Sequence, residues 1–293
     1  MIIVLTGATG SGKSKLAISL AKKLGAAIVN ADAFQVYQEL GIATAKPSAE
    51  MMMEAPHFLF DFIPLSDSYN VSEYQQDLRS AIATLQAKGM PIIIAGGTGL
   101  YIRAGLYDYA FERVKPVDMS GYDALDDEAL HGKLAEVDPE SAQQIHPHNR
   151  RRVLRALAIY LSTGKTKSSL LSSQEHKPIY DDVIFFGLQA ERESLYERVN
   201  ARVEEMFKEG LVEEVTRLER KYGRDIGAFQ AIGVKELFPY LDGRASLVSC
   251  KEQIKKSTRN YVKRQETFFR HQFDIHWVKD EAEILAYLSF LER

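Results

Sequence analysis

The chain has 293 residues, 45% of them hydrophobic, enough for one large packed interior or a core carrying one insert. Its formal net charge of −3 excludes a wholesale polyanion-binding surface, so any nucleic-acid footprint has to be local. One cysteine, Cys250, excludes an intrachain disulfide and a cysteine-cluster zinc site, and no apolar run approaches the roughly 18 residues of a membrane span. With no basic leader before the opening "MIIVLTG", the expected address is the cytoplasm, with no membrane partner.

In chain order, apolar β-branched runs predict strands at Ile2 to Thr6, Ala27 to Asn30, Phe58 to Ile63, Pro91 to Ala95, Val183 to Leu188 and Asp274 to Val278. Helical patterns fill Ser14 to Leu24 and Ser72 to Lys88, the second with Ser72 as N-cap. Residues 106–180 break the alternation, first charged and turn-rich ("FERVKPVDMSGYDALDDEALHGKLAEVDPE"), then helical, which marks an insert between two strands. A helical tail follows, from Arg192 to about Arg220 and from Ser249 to Phe273. The expected fold is α/β: a parallel sheet flanked by helices over residues 1–105 and 181–293, plus a small, mainly helical insert.

Between the first strand and helix stands Gly7-Ala8-Thr9-Gly10-Ser11-Gly12-Lys13-Ser14, a complete G-x-x-x-x-G-K-[ST] phosphate loop in the right context, so the core is P-loop NTPase-like. Its glycines let backbone N–H groups converge on phosphate, Lys13 adds a point charge, and the Ser14 hydroxyl can hold Mg²⁺. In an open parallel sheet the ligand crevice lies outside the carboxyl ends of the strands. Asp32 of "NADAFQVY" and Thr98 of "GGTGLY" each follow a strand and are expected on that same rim. Kinases commonly hold Mg²⁺ with an acid ending a second strand, but "PIIIAGG" has Ala and Gly there, leaving Asp61 as a substitute or as a buried structural carboxylate.

The segments "GATGSGKS", "NADAFQVYQELGIATAKPS", "PHFLFDFIP", "IIIAGGTGLYIRA", "HPHNRRRVLRALAIYLSTGK", "QAIGVKELFPYL" and "STRNYVKRQETFFR", in this order, resemble the tRNA dimethylallyltransferases of the IPP transferase group, in a match running to about Trp277. The resemblance implies that the loop binds the diphosphate of dimethylallyl diphosphate without phosphoryl transfer. It also implies transfer to N6 of adenosine 37, beside the anticodon, in tRNAs reading codons that begin with U. Asp32 is then the general base for the N6 proton, and the Thr98 hydroxyl and Lys13 join the loop and Mg²⁺ in stabilising the departing diphosphate. A stacked anticodon-loop base must be extruded to reach such a cavity.

Phosphate-binding cations are supplied locally. From Cys250 to Gln272 there are seven Lys/Arg against two acids. At about 100° per residue, Lys255, Lys256, Arg259, Lys263 and Arg270 form one basic arc opposite Ile254, Tyr261, Val262, Phe268 and Phe269. Arg150, Arg151, Arg152 and Arg155 open a helix of the insert, where unneutralised cations oppose the helix dipole and a polyanion would relieve them. By resemblance, the insert is a movable arm closing over the anticodon stem-loop. The implied tRNA-contacting residues are Asp32, Ala33, Phe34 and Gln35, Thr98, the stretch Arg151, Arg152, Val153, Leu154 and Arg155, and Thr258, Arg259, Lys263, Arg264 and Gln265. One tRNA and one cavity require one chain, so a monomer is expected.

Departures from the family pattern are Ala8 for the usual Pro, Ser14 for Thr, Val234 for an aromatic Tyr, and Gln230 where some members carry an arginine that assists the leaving group. No catalytic arginine is therefore assigned, and Lys235 is a weak substitute. The chain lacks the cysteines of the eukaryotic zinc finger, so it resembles the bacterial members. His57, His146 and His148 have no ligand-spaced partners, Met51 to Met53 suggest no cofactor, and Trp277 is expected in the core. The competing readings are a P-loop small-molecule kinase, an adenylate isopentenyltransferase acting on free AMP or ATP, and a non-catalytic RNA-binding protein.

Overall fold

A computed structural model describes residues 1–111 and 115–291, so residues 112–114 of the charged insert stretch lie outside the described residues. The chain divides into two compact units, Met1–Leu106 with Tyr180–Arg293, and Tyr107–Ile179.

Strand β1 (Ile2–Thr6) is buried at every position, as a central parallel strand must be, and passes through the phosphate loop into α1 (Lys13–Leu24). Both ends of α1 are set by glycines in the left-handed region, Gly12 (φ 95°) and Gly25 (φ 61°). β2 (Ala27–Asn30) follows, then the short α2 (Ala49–Met53) and β3 (His57–Phe58). The third strand is much shorter than the predicted Phe58 to Ile63. Leu59 and Asp61 take positive φ (61° and 54°), and the N–H groups of Asp61 and Phe62 turn to the carbonyls of Gln35 and Val36.

Helix α3 (Val71–Ala87) is capped by Asn70 rather than Ser72. The Asn70 side chain accepts from the Ser72 and Glu73 N–H groups, and Glu73 accepts from Asn70 in return, a capping box missed by the sequence reading. β4 (Ile92–Ala95) leads into α4 (Gly99–Leu106). The insert carries α5 (Asp127–Val137), α6 (Pro139–Gln144), α7 (Arg150–Thr163) and α8 (Lys167–Ser172) around its own small core of Leu130, Leu134, Ile145, Val153 and Leu157.

The chain re-enters the sheet as β5 (Val183–Leu188). The predicted helix over Arg192 to Arg220 is two helices, α9 (Arg192–Lys208) and α10 (Leu211–Tyr222), separated at Gly210 with φ 100°. After α11 (Phe238–Leu241) comes the 26-residue α12 (Leu247–Gln272), then β6 (His276–Val278) and α13 (Glu281–Leu291). Trp277 is half-buried, with the Arg270 guanidinium 5.8 Å from its ring centre, rather than a core residue.

The six strands form one all-parallel sheet in the order β3-β2-β4-β1-β5-β6. β1 lies between β4 and β5 with Val4 opposite Ile94 and Phe185, and β2 pairs β4 with Asn30 opposite Ala95. The phosphate loop, the loop after β2 and the loop after β4 therefore emerge side by side at the carboxyl edge, where parallel sheets bind ligands.

Candidate active site

Those three loops open into one cavity of about 610 Å³ lined by residues of the core unit alone. From the phosphate loop it takes Thr9, Gly10, Gly12, Lys13 and Ser14, from the second rim loop Asp32, Phe34 and Gln35, and from the end of β4 Ala95, Gly96 and Gly97. The remaining wall includes residues of α9 and α12, the loop segment 43–47, and Gln230 and Lys235.

Among the lining residues the charge is one-sided. Four lysines (Lys13, Lys15, Lys46, Lys235) and three arginines (Arg198, Arg202, Arg264) face a single acid, Asp32. Clefts lined by one sign of charge concentrate counter-ions of the other. Burial pulls the Lys13 ammonium down to about 8; Arg202 reinforces the effect and Asp32 opposes it. Burial also lowers Arg202, against the attraction of Asp32 and Glu209. Both are cations paid for in desolvation and left short of countercharge, the state an anionic ligand relieves.

Local hydrogen bonds explain how each side chain is held. The Asp32 N–H donates to Asn30 Oδ1 (2.9 Å), and Asp32 Oδ1 accepts from the N–H of Phe34 (2.9 Å) and of Gln35 (3.3 Å). This Asx turn spends one carboxylate oxygen and fixes the plane of the group. Asn30 is fully buried, with its amide donating to the carbonyls of Asp32 and Leu59. Thr98 Oγ1 accepts from the Ala33 N–H at 3.1 Å. In the phosphate loop, Lys13 Nζ donates to the Ala8 carbonyl (2.9 Å), and the Ser11 hydroxyl is buried with no hydrogen-bond partner among the described residues. Glu214 of α10 accepts the N–H groups of Gly41, Ile42 and Ala43, each at 3.0 Å, which anchors the loop that brings Lys46 into the wall.

Of the predicted phosphate-loop residues, Thr9, Gly10, Gly12, Lys13 and Ser14 meet Asp32, Phe34, Gln35, Thr258 and Arg264 at one cavity, with Thr98 bonded to the rim loop beside it. Gly7, Ala8 and Ser11 do not line the cavity, and Ala8 packs against Leu195, Val199 and Val262. Several expected tRNA contacts do not present free side chains. Val153 is fully buried in the insert core and Leu154 packs against that core, because α7 needs an apolar face; only Arg151, Arg152 and Arg155 of that stretch are exposed. Gln265 is 4% exposed and spent on internal hydrogen bonds. Gln35 uses its amide on the carbonyls of Thr44 and Ala45. The basic arc of α12 is narrower than its sequence pattern. Lys255 pairs with Glu204 and Glu252, and Arg259 donates to Asn200, which leaves Lys256, Lys263, Arg264 and Arg270 exposed. Asp61 is exposed and paired with Lys46, so it is neither a buried structural acid nor a member of this wall.

Arg198 and Arg202 were missed by the sequence reading. They border the buried stripe Leu195, Val199, Val203 of α9 at helical spacing, and that placement beside an apolar face was the available signal. Two arginines from α9 thus line the same cavity as Gln230.

The IPP transferase family model matches residues 35–272. The chain belongs to the IPP transferase family. It is 46% identical over 283 residues, 94% of its length and 89% of the relative's, to the tRNA dimethylallyltransferase of Geobacillus thermodenitrificans, and 42% identical over 282 residues to that of Bacillus subtilis, covering 94% and 90%. Among solved structures, this family member superposes on the tRNA delta(2)-isopentenylpyrophosphate transferase of Staphylococcus epidermidis with a TM-score of 0.73 at 37% identity, covering 99% and 97% of the two chains. A eukaryotic dimethylallyltransferase acting on tRNA matches with a TM-score of 0.80 at 28% identity, covering 96% of this chain and 74% of that one.

Proposed function

We propose that this IPP transferase family member transfers the dimethylallyl group of dimethylallyl diphosphate to N6 of adenosine 37 in tRNAs reading codons that begin with U, releasing diphosphate. The observation that carries the reading is the cavity itself: a phosphate loop and seven cations surround one carboxylate, Asp32. That arrangement suits an anionic leaving group and a single proton acceptor. Relatives over nearly the whole chain bear the matching name.

In the reaction, the allylic C–O bond breaks with its electron pair moving to the diphosphate. The N6 lone pair forms the new C–N bond, and the N6 proton passes to the Asp32 carboxylate. The N–H groups of residues 10–14, Lys13, Arg198 and Arg202 line the site where charge develops on the leaving group, and burial preorganises Lys13 and Arg202 among them. The Asx turn leaves Asp32 with a second oxygen for the proton. Thr98 supports the site by holding the Ala33 N–H. Mg²⁺ fits as a passenger of the diphosphate. Ser14 offers an exposed hydroxyl at the start of α1, and among the described residues no cluster of three acidic, His or Cys side chains builds a protein cage. Bound there, Mg²⁺ would neutralise charge on the leaving diphosphate.

For the acceptor, exposed Lys256, Lys263, Arg264 and Arg270 of α12 and Arg151, Arg152 and Arg155 of α7 supply phosphate-binding faces in the two units. No described helix is long and apolar enough to cross a membrane. We assign the enzyme to the cytoplasm, acting as a monomer on one anticodon stem-loop.

The test is label transfer from radiolabelled dimethylallyl diphosphate with Mg²⁺ to an unmodified stem-loop bearing A36-A37-A38, or to AMP. Label on the stem-loop at A37 supports the reading. Label on AMP alone moves the function to free-nucleotide prenylation, and ATP hydrolysis without transfer returns it to the kinases.

A further inference from the structure

Gln265 lies on α12, yet its amide reaches across the site. Its Oε1 accepts the Thr9 N–H of the phosphate loop at 2.8 Å, and its Nε2 donates to the Gly97 carbonyl at 3.0 Å. At 4% exposed, the side chain has traded water for these partners, so losing it takes the acceptor from the part-buried Thr9 N–H and the shorter donor from the buried Gly97 carbonyl. The neighbouring glycines are cut to fit this arrangement. A Cβ on Gly97 would stand 2.1 Å from Gln265 Nε2, one on Gly99 would stand 2.2 Å from the Phe268 ring, and one on Gly96 would stand 2.3 Å from the Ala31 backbone. The GGTG loop is thus clasped between α12 and the loop after β2, and Gln265 extends the clasp to the phosphate loop. Tyr261, one turn earlier on α12, adds a long contact of 3.4 Å from its hydroxyl to the same Gly97 carbonyl.

The geometry points to Gln265 as a positioning residue for prenyl transfer: through Thr9 and Gly97 it locks the diphosphate-binding loop and the Thr98 rim into one rigid cradle, and it does not contact the tRNA. This rests on the prenyl-transfer reading of the cavity, and it replaces the expectation that Gln265 binds the acceptor. Because α12 also carries the exposed Lys256, Lys263 and Arg264, one helix both presents charge to RNA and braces the donor site.

The experiment measures Mg²⁺-diphosphate binding by calorimetry, stem-loop binding by fluorescence anisotropy, and KM and kcat, for wild type, Gln265→Met, Gln265→Ala, Gly97→Ala and the double variant Gly97→Ala/Gln265→Ala. Methionine keeps the volume and loses both hydrogen bonds, whereas Gly97→Ala displaces the same amide with α12 unaltered. The expected result is diphosphate affinity weakened about tenfold in both Gln265→Met and Gly97→Ala, with a raised KM for dimethylallyl diphosphate and an unchanged stem-loop affinity. The double variant should be no worse than Gln265→Ala alone, because the group that Gly97→Ala would strike has gone. Unchanged diphosphate affinity in folded Gln265→Met and Gly97→Ala, or loss of stem-loop affinity instead, overturns the proposal, as does full multiplication of the two effects in the double variant. Should the wild type transfer nothing to RNA, the functional reading fails, while the diphosphate titrations still decide the role of Gln265.

Discussion

Thr98 Oγ1 accepts the backbone N–H of Ala33 at 3.1 Å, so the loop after β4 directly holds the loop that presents Asp32. The hydroxyl expected to act on the leaving group thus also braces the loop that carries the proposed base. Thr98→Ala should lower kcat about tenfold with little change in tRNA affinity, and Thr98→Ser should restore most of it. Steady-state kinetics with stem-loop anisotropy checks both.

On the proposed reading, Arg202 supplies what position 230 lacks. It is the more deeply buried of the α9 arginines, its guanidinium 3.4 Å from the Ala45 carbonyl and electrostatically coupled to Asp32. Arg202→Ala should cost about 10²–10³-fold in kcat, the scale of removing one preorganised donor to developing charge. Arg202→Lys should recover part of this, because the charge returns without the planar fork. Gln230→Ala should change little in the same assay.

On the proposed reading, Lys13 should set the alkaline limb of the donor step. Burial lowers its ammonium to about 8, so the free enzyme carries the charge at neutral pH and loses it as pH rises through that value. kcat/KM for dimethylallyl diphosphate should fall above about pH 8, whereas kcat should hold to higher pH, since the bound diphosphate favours the charged form. Lys13→Arg, if active, should abolish this limb. The same shift acts on folding with a definite sign. Protonated Lys13 is disfavoured in the native state, so stability of the ligand-free protein should rise between pH 8 and 10.5 through this group, and diphosphate should flatten that rise.

The two adjacent lysines of α12 should behave differently. Lys256 is exposed with no ion pair among the described residues, while Lys255 is neutralised by Glu204 and Glu252. Lys256→Gln should weaken stem-loop binding and reduce the slope of log K against log salt by roughly 0.7–1. Lys255→Gln should leave the slope nearly unchanged. Anisotropy titrations across salt concentrations separate them.

The phosphate loop, the parallel core and the shared rim of Asp32 and Thr98 were legible because each is local: a strand, a fixed motif and the residue after the next strand. What escaped depended on partners far along the chain. Gln265 reads as one more polar residue of a basic helix until its amide meets Thr9, 256 positions earlier. The arginines of α9 gain their meaning from lining the cavity with the phosphate loop, which no window around Arg202 contains. Val153 looked like part of an arginine cluster because the pattern counts charges, while packing of α7 required its apolar stripe. The third strand failed for another reason: the apolar run Phe58 to Ile63 has the composition of a strand, but the left-handed turns at Leu59 and Asp61 redirect it to the loop after β2.

The central claim is that Asp32 takes the N6 proton in a dimethylallyl transfer to tRNA. The most direct measurement is single-turnover transfer of label to A37 of a pre-bound stem-loop by wild type and Asp32→Ala, with stem-loop and diphosphate affinities measured on the same preparations. The account predicts a transfer rate lower by about 10²–10⁴-fold in Asp32→Ala with both affinities retained. A transfer rate equal to wild type, at saturating donor and acceptor, would contradict it.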